Sequence, residues 1–235
     1  QDHIERELNE IGAKYEKLKD DEIYEKTTKC LINGDAVGWF QGRMEFGPRA
    51  LGARSILGDP RSENMQKNLN FKVKYRESFR PFAPSVLENE AKRWFDIDKT
   101  SPYMLMVAKV NEDKVMKMNN EEEKLFGIEK LNIKRSTIPA VTHVDYSARI
   151  QTVSQNTNQR YFNLISEFNK KTGCPILINT SFNVRGEPIV NTPADAFNCF
   201  MGTELDILVI GNCFLTKNNQ DKSLREDYKY NFELD

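Results

Sequence analysis

The chain has 235 residues, with 34 Lys and Arg against 35 Asp and Glu, a net charge near −1 that confines any basic feature to a local patch. That length can bury a substantial core, and its 39% hydrophobic content includes no run near the roughly 20 apolar residues needed to span a bilayer. Two histidines and four cysteines without CxxC spacing argue against a protein-only zinc site, and unpaired thiols in apolar surroundings point to a reducing, cytoplasmic setting. In chain order, Ile4, Leu8, Ile11, Tyr15 and Leu18 recur at helical steps, which predicts a helix over 4–19. A second helix is expected over about 21–33, stopped at Asn33-Gly34, so that residues 1–34 form a helical entry segment. "AVGWF" (36–40) reads as a buried strand, Ser62 as the N-cap of a helix carrying Met65 and Leu69, and "FRPFAPSVL" as an edge or extended segment because of its two prolines.

"NEAKRWF" then predicts a short helix and "YMLMVAKV" (103–110) a strand, followed by a charged, solvent-facing excursion over 111–136. Short β-branched runs in 138–153 suggest two strands around a polar turn. Residues 160–172 predict a helix with Leu164, Ile165 and Phe168 inward and Gly173 just beyond its end. "PILIN" (175–179) is a strand buried on both faces, Thr192-Pro193 opens a helix, and "DILVIG" is expected to be the last core strand before a polar tail over 217–235. Strands alternating with helices predict an α/β or α+β sheet domain.

The local chemistry concentrates in "GRMEFGPRALGARSIL" (42–57), where Arg43, Arg49 and Arg54 alternate with Gly and Pro. Between Arg43 and Arg80 the chain carries six arginines and three lysines against four acids, an excess of five positive charges. Guanidinium groups on a stiff loop suit bidentate capture of phosphate or carboxylate oxygens. In "ILINTSFNVRGEPIV" the apolar strand stops at Asn179, and Thr180, Ser181, Asn183 and Arg185 follow, the usual place for a ligand-binding loop in an open α/β sheet. His143, Asp145 and Arg149 form a third polar group. Surface charge and ordinary turn chemistry explain most such residues singly; their clustering suggests a pocket for a small polyanion.

Four of these stretches, "GWFQGRMEFGPRALGARSILGDPR", "NFKVKYRESFRPFAPSVL", "AVTHVDYSARIQTV" and "ILINTSFNVRGEPIVNTPADAFNCF", closely resemble the C-terminal domain of the NodU/CmcH-type carbamoyltransferases, over about residues 21–216. The resemblance implies a YrdC-like fold, a twisted, open, mixed β-sheet with flanking helices spanning 35–216. It implies that this domain binds ATP, with Mg²⁺ on the triphosphate, and carbamoyl phosphate as co-substrate, and makes carbamoyl adenylate. The acceptor hydroxyl is then carbamoylated by an N-terminal Kae1-like domain, a partner expected in cis or in trans. Carried over by motif, Lys74, Arg80 and Arg149 are the expected catalytic residues facing carbamoyl phosphate, and Arg49, Asn179 and Ser181 the expected nucleotide-binding ones. No protein ligand for a metal is implied. Ala53, where the family often has Asn, and Gly58, where Ala is frequent, remove no charge. Two rival readings are an RNA- or nucleotide-binding YrdC-like module and a catalytically silent scaffold for a partner domain.

Overall fold

The computed structural model describes residues 1–131 and 133–225. Nine strands form a single mixed sheet: β1 (Glu16–Lys17), β2 (Val37–Phe40), β3 (Arg54–Gly58), β4 (Ala83–Leu87), β5 (Met106–Lys109), β6 (Ser147–Val153), β7 (Ile176–Ser181), β8 (Ile207–Ile210) and β9 (Cys213–Thr216). Their spatial order is β1-β9-β8-β2-β3-β7-β4-β6-β5. Two neighbouring pairs, β2 with β8 and β4 with β6, run parallel, and the other six pairs are antiparallel. Among the described residues seven helices accompany the sheet: α1 (Asp2–Glu10), α2 (Asp20–Ile32), α3 (Met65–Lys72), α4 (Ala91–Trp94), α5 (Gly127–Leu131), α6 (Gln159–Thr172) and α7 (Pro193–Gly202). This is the open mixed sheet with flanking helices expected of a YrdC-like domain.

The central strands carry the core. β2, β3, β4 and β8 are buried at every position, because each has a paired strand on both sides and helices over its faces. α6 turns Tyr161, Leu164, Ile165 and Phe168 inward and ends at Gly173, whose φ of 72° is the left-handed geometry that glycine adopts without strain. Thr192 and Asp195 form a reciprocal capping box at the start of α7, with Pro193 in its first turn.

Several expectations need correction. The periodicity over 4–19 does not yield one helix: α1 stops at Glu10, Gly12 takes φ 74°, and Glu16–Lys17 pair with β9 at the sheet margin. Asn64 rather than Ser62 occupies the N-cap position of α3. β4 is an interior strand despite Pro84, lying between β7 and β6; the parallel ladder to β6 begins only at Ser85, one residue past the proline. The 138–153 region gives one strand, since Pro139–Val141 coil into a 3₁₀ turn. β8 is not the last core strand: β9 follows it across a tight turn at Gly211. The 111–136 excursion is charged as expected and contains two 3₁₀ turns and α5. The expected polar tail begins with Lys217 and with Gln220, whose side chain bonds both backbone groups of Lys14, while residues 226–235 lie outside the described residues.

Candidate functional site: a two-lobed cationic hollow

Three long connections and two strands meet beside the middle of the sheet. The connections are β2 to β3 (42–53), α3 to β4 (73–82) and the segment after β7 (182–191). There they line two adjoining cavities. The larger, about 440 Å³, is bounded by Lys74, Arg76, Arg80, Ser181, Asn183 and Arg185, among others. The smaller, about 170 Å³, is bounded by Arg49, Arg76, Met104, Arg149, Asn179 and Ser181, among others. Arg76 and Ser181 belong to both, so the two are lobes of one hollow.

The β2–β3 loop is closed from inside. One oxygen of Glu45, Oε1, accepts from the amides of Leu51 (2.6 Å), Ala53 (2.7 Å) and Arg54 (3.3 Å), an inward-facing carboxylate that ties the loop to itself. Gly52 has φ 103°, and a Cβ there would lie 2.3 Å from the ring of Tyr161 on α6. Gly52→Ala is therefore expected to destabilise the fold by about 3 kcal/mol, from steric overlap plus an unfavourable backbone angle, measurable by urea denaturation.

The three arginines of this loop divide by role. Arg54 is buried: its guanidinium lies 3.4 Å from the Phe40 ring centre and donates to the carbonyls of Gln41, Gly42, Ala53 and Asn191. Burial draws its pKa down to about 10. It braces the loop and lines neither lobe. Arg43 is exposed and also lines neither. Arg49 is exposed and lines the smaller lobe. Farther along the basic segment, Arg61 is taken up by a bidentate pairing with Asp59, Nε donating to Oδ1 and Nη2 to Oδ2.

Arg149, in mid-β6, is half-buried. Its Nη2 has the Met104 sulfur at 3.8 Å, and its Nε has no hydrogen-bond partner among the described residues. Burial lowers its pKa, and the nearby Arg49 lowers it further. Among the described residues neither arginine has a carboxylate within ion-pairing distance, so Arg149 feels the positive charge of Arg49 without a paired counter-ion. Arg76 is half-buried, donates from Nε to Asn70 Oδ1 (2.6 Å), and is drawn down to about 10 by burial and by Arg80. Arg80 differs, since its Nε sits 2.9 Å from a Glu77 carboxylate oxygen.

Lys74 is 4% exposed, yet its ammonium is well supplied with acceptors: Ser181 O (2.6 Å), Ser181 Oγ (3.2 Å), Asn183 O (2.8 Å) and Asn183 Oδ1 (2.8 Å). Burial, then Arg76, lowers its pKa to about 7. Lys74 therefore fixes the loop after β7 as well as adding charge. Between it and Arg76, Tyr75 takes φ 47°, an uncommon angle for a bulky residue, and its hydroxyl donates to Gly202 O. Asn179 is 1% exposed, with Nδ2 donating to Ala50 O (2.9 Å) and Gln151 Oε1 (2.8 Å).

The structure thus gathers all six sequence-derived residues around the hollow, with Arg49, Arg149 and Asn179 at one lobe, Lys74 and Arg80 at the other, and Ser181 at both. Sequence reasoning counted Arg76 in the basic segment and Asn183 in the loop after β7 but singled out neither as a site residue. The available signal was position: Arg76 follows Lys74 by two residues, and Asn183 follows Ser181 by two. The third polar group stays within electrostatic reach, burial lowering the His143 pKa most, Asp145 raising it and Arg149 lowering it, but its members serve different places. Asp145 is spent capping its own turn, accepting from Ser147 N (3.1 Å) and Oγ (2.7 Å), and His143 lines a different cavity with Lys67 and Arg135. Among the described residues no group of three or more His, Cys, Asp or Glu is placed to hold a metal ion, and no helix is long and apolar enough to cross a membrane.

A mixed sheet whose central loops enclose a hollow lined by several arginines and a lysine defines a mixed α/β domain with a predominantly cationic pocket. Its fold is shared with the crystal structure of full-length HypF in the phosphate- and nucleotide-bound form, at a TM-score of 0.50 and 12% identity over 82% of this chain and 25% of that one. Residues 28–217 match the family model described as Carbamoyltransferase C-terminus, and the chain belongs to that family. It is 56% identical over 96% of its length to a Synechocystis sp. protein named as uncharacterized, covering 37% of that protein. It is 43% identical over 91% of its length to nodulation protein NolNO of Sinorhizobium fredii, covering 29% of it. With the 3'-hydroxymethylcephem-O-carbamoyltransferase of Streptomyces clavuligerus it shares 35% identity over 79% of its length and 31% of the relative. The chain thus spans about a third of the length of these relatives.

Proposed function

We propose that this chain is the carbamoyl-activating domain of an O-carbamoyltransferase, binding ATP and carbamoyl phosphate and forming carbamoyl adenylate. The supporting observation is the opposition of Arg49 and Arg149 without a carboxylate between them, in a hollow that Arg76 continues into the Lys74–Arg80 lobe. Arg49 disfavours the charged form of Arg149, so the arrangement favours a polyanion that relieves the repulsion. Family membership, a relative named as a carbamoyltransferase and a structural neighbour solved with phosphate and nucleotide agree with this reading.

In the proposed reaction, hydrolysis of carbamoyl phosphate releases phosphate and leaves carbamate. A carbamate oxygen attacks the α-phosphorus of ATP, the bond to the β-phosphate oxygen breaks, and pyrophosphate leaves. Lys74, Arg80 and Arg149 are assigned to carbamoyl phosphate, and Arg49 and Ser181 to the nucleotide phosphates. Asn179, buried and bonded to Ala50, acts from beneath the Arg49 loop. These groups position and neutralise the phosphates, so no side-chain nucleophile is required. Mg²⁺ arrives on the triphosphate, whose oxygens are its natural ligands. A Kae1-like domain, in cis or in trans, receives the activated carbamoyl group. The four free thiols suit a reducing cytoplasm.

The test is isotope exchange. Labelled pyrophosphate is expected to enter ATP only when carbamoyl phosphate is present. Folded chain that binds ATP but gives no exchange with carbamoyl phosphate would overturn the assignment.

A further inference from the structure

Beneath Arg49 lies a buried polar cluster drawn from three strands, which reaches the smaller lobe only through Asn179. Gln151, on β6, is 3% exposed. It stands two residues from Arg149, so both side chains leave the same face of the strand. Its Nε2 donates to Leu51 O at 2.9 Å, while its Oε1 accepts from Ser85 Oγ at 2.6 Å and from Asn179 Nδ2 at 2.8 Å. Asn179 Nδ2 also donates to Ala50 O at 2.9 Å. Two consecutive carbonyls after Arg49 are thereby gripped from the sheet. The amide of Leu51 is gripped from the opposite side by Glu45. This amide orientation pairs every one of those groups; flipping Gln151 would set an oxygen against a carbonyl and an NH₂ against an NH₂.

We infer that Gln151 is a positioning residue, clamping the Arg49 loop against β6 so that Arg49 stays opposed to Arg149 before any anion arrives. The inference rests on the anion-binding reading of the hollow. Its physical reason is that the two guanidiniums repel, and Arg49 shifts the Arg149 pKa downward. An untethered loop would let the already exposed Arg49 move away from Arg149 and relax. The clamp opposes that relaxation, and binding then does not have to order the loop.

Two measurements on the full 235-residue chain test it. Gln151→Leu keeps the approximate volume and removes the donor to Leu51 and the acceptor for Asn179. Without ligand, amide hydrogen exchange at Leu51, Ala53 and Arg54 is expected to accelerate while the α6 amides keep their protection. With inorganic pyrophosphate as probe, calorimetric affinity is expected to fall about tenfold in the wild-type background and not to fall further in Arg49→Ala, because the residue acts through Arg49. Equal losses in both backgrounds, or unchanged affinity and unchanged exchange, would overturn the inference. Should Gln151→Leu not fold, Gln151→Met removes the same donor and acceptor with an unbranched neutral side chain, and the same two outcomes apply. If wild-type chain fails to bind pyrophosphate, the anion-site reading falls, while the loop-amide exchange still decides whether the clamp exists.

Discussion

Arg149→Ala is expected to reduce carbamoyl phosphate-dependent pyrophosphate exchange about a hundredfold or more while leaving the melting temperature unchanged or slightly raised. Most half-buried arginines behave otherwise, because removing them strands a partner. Arg149 has little to strand: a sulfur at 3.8 Å, an unpartnered Nε and a repelling neighbour. Desolvation and like-charge repulsion both oppose the charged form, so alanine removes an unfavourable interaction from the free protein. The same removal deprives a bound polyanion of its counter-charge. Thermal melts alongside exchange rates separate the two effects. A large fall in melting temperature would show that Arg149 is a structural element instead.

Lys74→Met is expected to act in the opposite way, lowering stability by about 3 kcal/mol together with anion affinity. Met fills the space but leaves Ser181 O and Asn183 O short of a donor in a part-buried setting, while Asn183 Oδ1 keeps only the Ser181 hydroxyl. The pH dependence carries a further signature. An unfolded lysine titrates near ~10.4, whereas folded Lys74 is drawn down to about 7. Between these values the unfolded chain holds more protons, so stability should rise as pH increases from about 7 towards ~10. The burial penalty is present in full below the folded pKa and lapses as the ammonium is neutralised. Pyrophosphate affinity should fall over the same window, because the neutral amine no longer adds charge to the hollow. Melting temperature and affinity measured from pH 6 to 9 in wild type and Lys74→Met check this: the Lys74 contribution to both slopes should vanish in the variant.

Local signals carried much of this fold. The left-handed stop at Gly173, the Thr192–Asp195 box and the inward stripe of α6 depend on residues a few positions apart. Pro84 misled because its local rule concerns a missing donor, and only the tertiary ladder shows that β6 pairing starts beyond it. β1 was hidden because two polar residues become a strand only through β9, nearly two hundred positions away. The site divides likewise. That the segment from Arg43 to Arg80 is rich in guanidinium was plain, but Arg49 and Arg54 are the same residue type in the same loop. What separates them is the Phe40 ring and the carbonyl of Asn191, which turn Arg54 inward. Arg76 was passed over because nothing nearby in sequence shows that its neighbour Tyr75 takes φ 47°. Asn179 was legible as a site residue at a strand end and it lines the smaller lobe, but its bonds to the Ala50 carbonyl and the Gln151 amide join residues far apart in sequence and could not be read there.

The central claim is that distant segments enclose one polyanion site. The most direct measurement is a crystal structure of the chain with carbamoyl phosphate, a non-hydrolysable ATP analogue and Mg²⁺. Phosphate density between Arg49 and Arg149, continuing past Arg76 and Ser181 towards Lys74, is the predicted result. Phosphates seated elsewhere, such as the cavity lined by Lys67, Arg135 and His143, with the two-lobed hollow filled by solvent alone, would contradict the account.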